Sequence, residues 1–124
     1  MVAATTPQKT VMVVEDEPAI RGLLCLTLEC ENYHVEVAGD GREALSKMGR
    51  VLPDAILLDL MLPTMDGWAL IDALNERPET DRIPIIAVSA TQHYHHVGER
   101  GVQAFLSKHF DVDTLLIVMA DVLQ

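Results

Sequence analysis

Basic residues are scarce in this sequence. Lys and Arg number 9 against 19 Asp and Glu, which gives a formal net charge of −10. A surface of this sign repels phosphate backbones and anionic lipids, so nucleic-acid binding and membrane-surface binding are excluded as expected roles. The acidity has two explanations. Either it serves solubility, or some of the carboxylates form a cluster that holds a cation, and the positions of the acids decide between the two.

Cysteine and long apolar runs are scarce as well. Cys25 and Cys30 lie five positions apart, which is neither a CxxC pair nor a zinc-knuckle spacing, and two cysteines cannot build a disulfide framework. The first ten residues lack an apolar core of signal-peptide length, and no apolar run approaches the ~18 residues of a membrane span. We therefore expect a cytoplasmic protein with reduced, structural thiols and no membrane association.

The length fits one domain. A chain of 124 residues that is 49% hydrophobic is expected to bury roughly two-thirds of its unfolded surface, which is enough for a core without metal or disulfide staples. No repeat, low-complexity tract or Pro/Gly-rich linker divides the chain. We expect a short N-terminal tail over residues 1–8 and a single domain over residues 9–124.

Short apolar runs alternate with amphipathic stretches along the chain. Strands are predicted at residues 11–14, 33–38, 55–58, 83–88 and 102–106, and helices at residues 18–28, 40–48, 67–77, 92–98 and 111–123. Five strands that strictly alternate with five helices indicate a parallel sheet with right-handed crossovers and helices on both faces. The fold class is therefore α/β, a doubly wound domain.

Polar residues follow the predicted strands. Glu15 and Asp16 follow the first strand, Asp59 the third, Ser89 the fourth and Lys108 the fifth. In doubly wound sheets the ligand site lies at the carboxyl ends of the strands, so we expect these residues to converge. Carboxylates that lie within a few ångströms of one another share protons or bind a hard cation such as Mg²⁺. Without this convergence, residues 15–17 would be only an acid cluster at a helix start.

This combination of residues suits phosphoryl transfer. A carboxylate can act as the nucleophile and form an aspartyl-phosphate. The transferred group needs its oxygens neutralised by a metal ion, an ammonium and a hydroxyl, because the reaction depends mainly on positioning and electrostatics. Asp59 as acceptor, Glu15 and Asp16 on the metal, and Ser89 and Lys108 on the phosphoryl oxygens meet these needs.

The sequence resembles the receiver domains of two-component response regulators over residues 9–123. The most specific motif is Leu-Leu-Asp-Leu-Met-Leu-Pro-Thr-Met-Asp-Gly at residues 57–67. It is supported by Val-Val-Glu-Asp-Glu-Pro at 13–18, Ser-Ala at 89–90 and Phe-Leu-Ser-Lys at 105–108. The resemblance implies a flavodoxin-like, five-stranded sheet with strand order 2-1-3-4-5. It also implies at most self-catalysed phosphotransfer and autodephosphorylation, and no other enzymatic activity.

The resemblance further implies a mechanism. Asp59 would accept a phosphoryl group from a histidine kinase or a histidine phosphotransferase. Mg²⁺ or Mn²⁺ would be held by Glu15, Asp16, Asp59 and the Met61 carbonyl. Ser89 would move toward the phosphoryl group and Phe105 would change rotamer behind it. These changes would remodel the face formed by the fourth helix, the fifth strand and the fifth helix.

Two features depart from the family pattern. His109 stands where family members usually carry a proline after the conserved lysine. Because a cis bond before a non-proline residue is costly, we expect a trans peptide with a shifted Lys108, or else a strained bond. In addition, Ser89 and Lys108 are 19 positions apart, about one helical turn less than is usual in the family. We expect the fourth helix to be short or mobile.

Several alternatives remain open at this stage. A degenerate receiver that only binds proteins is the runner-up. A dehalogenase-like phosphatase would want a second Asp where Met61 stands, and a flavodoxin-like cofactor binder would not place acids after the first strand. Trp68 is interpreted as a packing residue. The last helix is apolar nearly all round, with Ile117, Val118 and Val122 beside its inward face, which suggests a homodimer or partner surface on the fifth helix.

Overall fold

The computed structural model describes residues 8–62, 67–89, 101–108 and 110–123. Five strands are present in these residues: β1 (Thr10–Val14), β2 (His34–Ala38), β3 (Ala55–Asp59), β4 (Ile85–Ser89) and β5 (Val102–Ser107). The helices in these residues are α1 (Pro18–Cys30), α2 (Gly41–Met48), α3 (Gly67–Asn75) and α4 (Val112–Val122). The helix α4 is therefore the one that the sequence predicts as the fifth.

The five strands form one parallel sheet in the order β2-β1-β3-β4-β5. This confirms the predicted doubly wound α/β fold and its strand order. The helix predicted over residues 92–98 and the Lys108–His109 bond lie outside the described residues.

The sheet is buried on both faces, because helices cover each of them. Successive side chains of a strand point to opposite faces. Accordingly, Met12, Val14, Ile56 and Leu58 belong to one apolar cluster, and their neighbours in sequence, such as Val13, belong to the cluster on the other face. The continuous apolar runs of β1 and β3 follow from this double burial. Two-sided burial also fixes where each strand ends and its polar residues begin.

Side-chain caps fix the start of two helices. Asp40 Oδ1 accepts a 2.8 Å hydrogen bond from Glu43 N, and Glu43 Oε1 accepts a 2.7 Å bond from Gly39 N. Asp40 therefore caps the N-terminus of α2, and Glu43 binds the amide of the residue before the cap. Asp111 Oδ1 accepts a 2.7 Å hydrogen bond from Thr114 N at the start of α4. Hydrogen bonds from the backbone and the side chain of Thr114 lower the pKa of Asp111. None of the described helices is long and apolar enough to cross a membrane.

The inward faces of two helices differ in part from the prediction. Helical spacing predicts that Leu23 of α1 faces the core, but Leu23 is 56% exposed. In α4 the spacing predicts Val112, Leu115 and Met119 inward. Leu115 and Met119 are buried as predicted, whereas Val112 is 45% exposed and Val118 packs against the core instead. Both valines fit a helical stripe, and the neighbouring strands decide which one is buried.

Candidate functional site

The carboxyl ends of the strands bring the predicted polar residues to one edge of the sheet. Glu15 directly follows β1, Asp59 is the last residue of β3, Ser89 is the last residue of β4, and Lys108 follows β5. The sheet hydrogen bonding continues past the strand ends. Glu15 N donates to the carbonyl of Ala38 at 3.0 Å, and Leu60 N donates to that of Val88 at 3.0 Å. The backbone beneath the site is thus held by the sheet itself.

Three carboxylates meet at this edge. One carboxylate oxygen each of Glu15, Asp16 and Asp59 lie within 4.8 Å of one another. Glu15 and Asp59 are each only 2% exposed, whereas Asp16 is exposed. Backbone groups hold the two buried acids, since Glu17 N donates to Glu15 Oε2 at 3.2 Å and Met61 N donates to Asp59 Oδ1. Two buried anions and a third beside them require positive charge nearby.

Lys108 supplies part of that charge. Its Nζ lies 2.9 Å from Asp59 Oδ2, and the Asp59 side chain is 1% exposed. The other oxygen of Asp59, Oδ1, accepts a 2.9 Å hydrogen bond from Met61 N. Apart from the ion pair with Lys108, Oδ2 is buried without a hydrogen-bond donor among the described residues. Asp59 is therefore oriented through one oxygen and keeps electron pairs on the other for a further ligand.

The pKa values reflect this crowding. Burial, with the charge and hydrogen bond of Asp59, raises the pKa of Glu15 to about 7, against the lowering effect of the Glu17 amide and Lys108. For Lys108, partial burial would lower the pKa. The hydrogen bond and charge of Asp59, with the charges of Glu15 and Asp16, outweigh burial and raise it. Without a cation, Glu15 therefore keeps its proton to a higher pH than an ordinary glutamate, and Lys108 stays charged.

The donor set fits a hard divalent cation. Carboxylate oxygens at this spacing are the ligands that Mg²⁺ takes, and Mg²⁺ keeps several waters, which the exposed side of Asp16 allows. The buried Asp59 Oδ2 has capacity for another positive partner. A divalent ion would also offset the part of the rise in the Glu15 pKa that comes from the charge of Asp59. A surface cavity of about 300 Å³, lined by Arg50, Arg77 and Thr80 among others, includes none of these residues.

Glu15 predicts a pH dependence of stability. Its pKa rises from 4.5 to about 7 on folding, so between these values the folded state binds more protons than the unfolded state. This contribution is fully present below about pH 4.5 and is lost as the pH rises through about 7. In metal-free urea titrations, the free energy of unfolding should lose on the order of 2 kcal/mol between these limits because of Glu15. Glu15→Gln should remove that loss.

The exposed Glu29 provides the control for this prediction. Glu29→Gln should keep the pH dependence of the original protein, since it changes one glutamate away from the cluster. An unchanged pH dependence in Glu15→Gln would contradict the assigned role of burial at Glu15.

The structure brings together four of the predicted site residues: Glu15, Asp16, Asp59 and Lys108. Met61 lies beside them through its amide, and its side chain is 71% exposed. The use of its carbonyl as a metal ligand stays a prediction. The backbone of Ser89 ends β4 at the same edge, and its side chain lies outside the described part of the chain.

Two contacts near the site escaped the sequence analysis. Arg21 Nη1 donates a 3.0 Å hydrogen bond to the Glu15 carbonyl, which connects α1 to the acidic residues 15–17. The sequence feature that could have predicted this contact is the position of Arg21, one helical turn after these acids. The second contact is between aromatic rings: the centroids of Trp68 and Phe105 lie 6.2 Å apart at 44°. Because the two residues lie on different elements, the sequence carried no local signal for this pair.

Comparisons with known proteins agree with this geometry. The family model of the response regulator receiver domain matches residues 11–120. The chain is 33% identical over 109 residues to the DNA-binding dual master transcriptional regulator RpaA of Synechocystis. That match covers 86% of this chain and 45% of the regulator, so the chain spans less than half of that relative's length.

Two solved structures are similar in fold. The chemotaxis protein CheY4 of Vibrio cholerae has a TM-score of 0.87 and 30% identity, covering 94% of this chain and 99% of that one. The receiver domain of the sensor histidine kinase PA1611 of Pseudomonas aeruginosa, with a magnesium ion coordinated in its active site cleft, has a TM-score of 0.84 and 27% identity. It covers 94% of this chain and 98% of that one. The chain belongs to the family of response regulator receiver domains, the phosphoacceptor modules of two-component signalling.

Proposed function

We propose that Asp59 is the phosphoacceptor of this domain. The observation that carries the proposal is the Asp59 carboxylate itself. It is buried, oriented by Met61 N through Oδ1, and paired on Oδ2 with Lys108 at 2.9 Å. A carboxylate oxygen of Asp59 attacks the phosphorus of a phosphohistidine on a histidine kinase or histidine phosphotransferase. The new O–P bond forms as the N–P bond breaks, and the imidazole leaves with the electron pair.

Glu15, Asp16, Asp59 and the Met61 carbonyl would hold Mg²⁺ or Mn²⁺. When bound, such an ion supplies the positive charge that lets a phosphoryl group approach three carboxylates. The support for this part is the 4.8 Å cluster of carboxylate oxygens and the buried Asp59 Oδ2, which apart from its ion pair with Lys108 lacks a hydrogen-bond donor among the described residues.

Lys108 and Ser89 complete the proposed chemistry. The Lys108 ammonium already lies beside Asp59 Oδ2, so it can pair with a phosphoryl oxygen once the group is attached. Ser89 ends the strand next to Asp59 in the sheet, since Asp59 lies opposite Val88 in the register of β3 and β4. In this proposal its hydroxyl moves to a phosphoryl oxygen, and Phe105 on β5 reorients in response.

Intact mass spectrometry tests the phosphoacceptor role. After incubation with Mg²⁺ and a small acyl phosphate, the protein should gain one phosphoryl group. Asp59→Asn should gain none, because an amide is not a nucleophile of this kind. The matched control is Asp113→Asn, which removes an exposed carboxylate in the first turn of α4 and should retain the gain.

The runner-up function has a distinct outcome in the same experiment. A degenerate receiver that acts only as a protein-binding module would show no mass gain in any variant. A gain that persists in Asp59→Asn would place the acceptor elsewhere in the chain. A dehalogenase-like phosphatase is disfavoured because Met61, and not an acid, stands two positions after Asp59.

The remaining parts of the proposal concern partners and location. A cytoplasmic location fits a domain that receives a phosphoryl group from a histidine kinase. Self-catalysed dephosphorylation fits a site in which the domain's own carboxylates lie beside the acceptor. The homodimer on the fifth helix, here α4, stays a prediction. The apolar surface available for it is smaller than the sequence indicated, because Val118 and Val122 pack on the core. Ile117, which is 70% exposed, and Val112, which is 45% exposed, are the residues of α4 that support it.

A further inference from the structure

An aromatic contact between Trp68 and Phe105 connects α3, the helix after β3, to the edge strand β5. Trp68 is the second residue of α3, and its half-buried ring packs against the core cluster that contains Phe105. The two ring centroids are 6.2 Å apart and the rings are tilted by 44°. This distance and tilt lie in the range in which aromatic pairs attract each other. Phe105 is 9% exposed, so it cannot reorient without changing this contact.

The start of α3 is fixed to the end of β3. Gly67 N donates a 2.9 Å hydrogen bond to the carbonyl of Leu60, the residue after Asp59. A Cβ atom on Gly67 would lie 2.5 Å from Leu60 Cα, so the two backbones approach as closely as glycine allows. Trp68 is therefore the residue directly after Gly67, whose backbone contacts Leu60. A shift of the backbone around Asp59 would therefore act on the backbone that carries the indole ring.

Phe105 and its neighbours across the sheet share one face. Phe105 lies opposite Ala87 in the register of β4 and β5, and Ala87 lies opposite Leu58 in the register of β3 and β4. Residues opposite one another in a parallel sheet point to the same face. The nearest cross-strand neighbour of Phe105 on β4 is therefore the small side chain of Ala87. Trp68 packs into this cluster and meets Phe105 there.

We propose that Trp68 is a positioning residue of the switch, which selects the orientation of Phe105 according to the state of Asp59. The inference rests on the proposed phosphoacceptor function and adds a second structural connection from Asp59 to Phe105, through the end of β3 and the start of α3. This connection is separate from the one proposed for Ser89 at the end of β4. Without the indole, Phe105 should no longer be restricted to the orientation of the unphosphorylated protein.

Fluorine NMR tests this role directly. The chain has two phenylalanines, Phe105 and Phe110, and 4-fluorophenylalanine therefore gives two resonances. Phe110 packs against the apolar cluster on the opposite face of the sheet, so its resonance serves as an internal control. In the unphosphorylated protein, Trp68→Leu should move the Phe105 resonance at least half of the way to its position in the phosphorylated original protein. The Phe110 resonance should stay in place.

A second variant separates positioning from general damage. Trp68→Tyr retains a ring and should keep the Phe105 resonance within a quarter of that shift from the original position. If Trp68→Leu leaves Phe105 unmoved, or if both fluorine resonances move together toward unfolded positions in Trp68→Leu and Trp68→Tyr alike, the positioning role is wrong.

Intact mass on the same samples distinguishes the two proposals. A protein that gains a phosphoryl group, but whose Phe105 resonance ignores Trp68→Leu, overturns the positioning role alone. A protein that gains no phosphoryl group overturns the proposed function, and with it the role of Trp68 in reading the state of Asp59.

Discussion

Gly67→Ala is expected to lower the free energy of unfolding by about 3 kcal/mol. The added Cβ would lie 2.5 Å from Leu60 Cα, 2.8 Å from Leu60 Cδ2 and 3.1 Å from the Asp59 carbonyl oxygen. The nearest of these atoms belongs to the backbone and cannot swing away. Relief requires α3 to separate from the end of β3, which would also stretch the Gly67 N–Leu60 O hydrogen bond. Urea unfolding, followed by far-UV circular dichroism, measures the loss.

Gly22→Ala is the matched control for this prediction. Gly22 lies inside α1, and a Cβ added there meets nothing within 4 Å. In an exposed helix interior alanine is favoured over glycine, so this variant should be more stable by about 0.5–1 kcal/mol. Equal effects of the two substitutions, or a Gly67→Ala protein as stable as the original, would show that the approach of α3 to Leu60 is not tight in solution.

The sheet could be predicted from the sequence because strands that are buried on both faces appear as continuous apolar runs. The runs at 11–14 and 55–58 are apolar without interruption and stop abruptly at acids, so both the strands and their carboxyl ends could be predicted. Parallel topology then placed Glu15, Asp59 and Lys108 at one edge without further information. The helix faces were harder. Val112 and Val118 of α4 both fit a helical stripe, and only the positions of the strands decide which of them is buried.

Properties that depend on burial and on contacts between distant elements were not predictable. The sequence indicated that Glu15 is acidic and near Asp59, but its pKa of about 7 follows from burial first and from the neighbouring charge second. Trp68 was interpreted as a packing residue, which is correct as far as it goes. Its contact with Phe105 joins residues of α3 and β5, which are far apart in the sequence, so no local pattern encodes it.

Lys108→Met is expected to have two separate effects, one on stability and one on phosphorylation. It leaves the Asp59 carboxylate, with a side chain 1% exposed, without the ammonium that lies 2.9 Å away. Breaking such a pair leaves an uncompensated buried charge. Because the Lys108 side chain is 23% exposed and water screens part of the interaction, we expect a loss of about 1–3 kcal/mol in metal-free unfolding experiments.

Phosphorylation by a small acyl phosphate should slow by about 100-fold in the same variant. The methionine side chain preserves most of the apolar length of lysine but offers no charge to the phosphoryl oxygens as they approach Asp59. The rate of mass gain at saturating Mg²⁺ measures this effect. Lys9→Met, which removes an exposed lysine at the opposite end of β1, should keep the original rate.

A double-mutant cycle with Asp59→Asn separates pairing from packing at Lys108. In the background of the Asp59→Asn substitution the buried carboxylate that contacts Lys108 is absent, so Lys108→Met should cost much less than it does beside Asp59. The difference between the two costs is the free energy of the interaction between the ammonium and the carboxylate. If Lys108→Met costs the same in both backgrounds, the lysine stabilises the fold through its aliphatic chain. Its proximity to Asp59 would then matter for the phosphoryl group and not for the unphosphorylated domain.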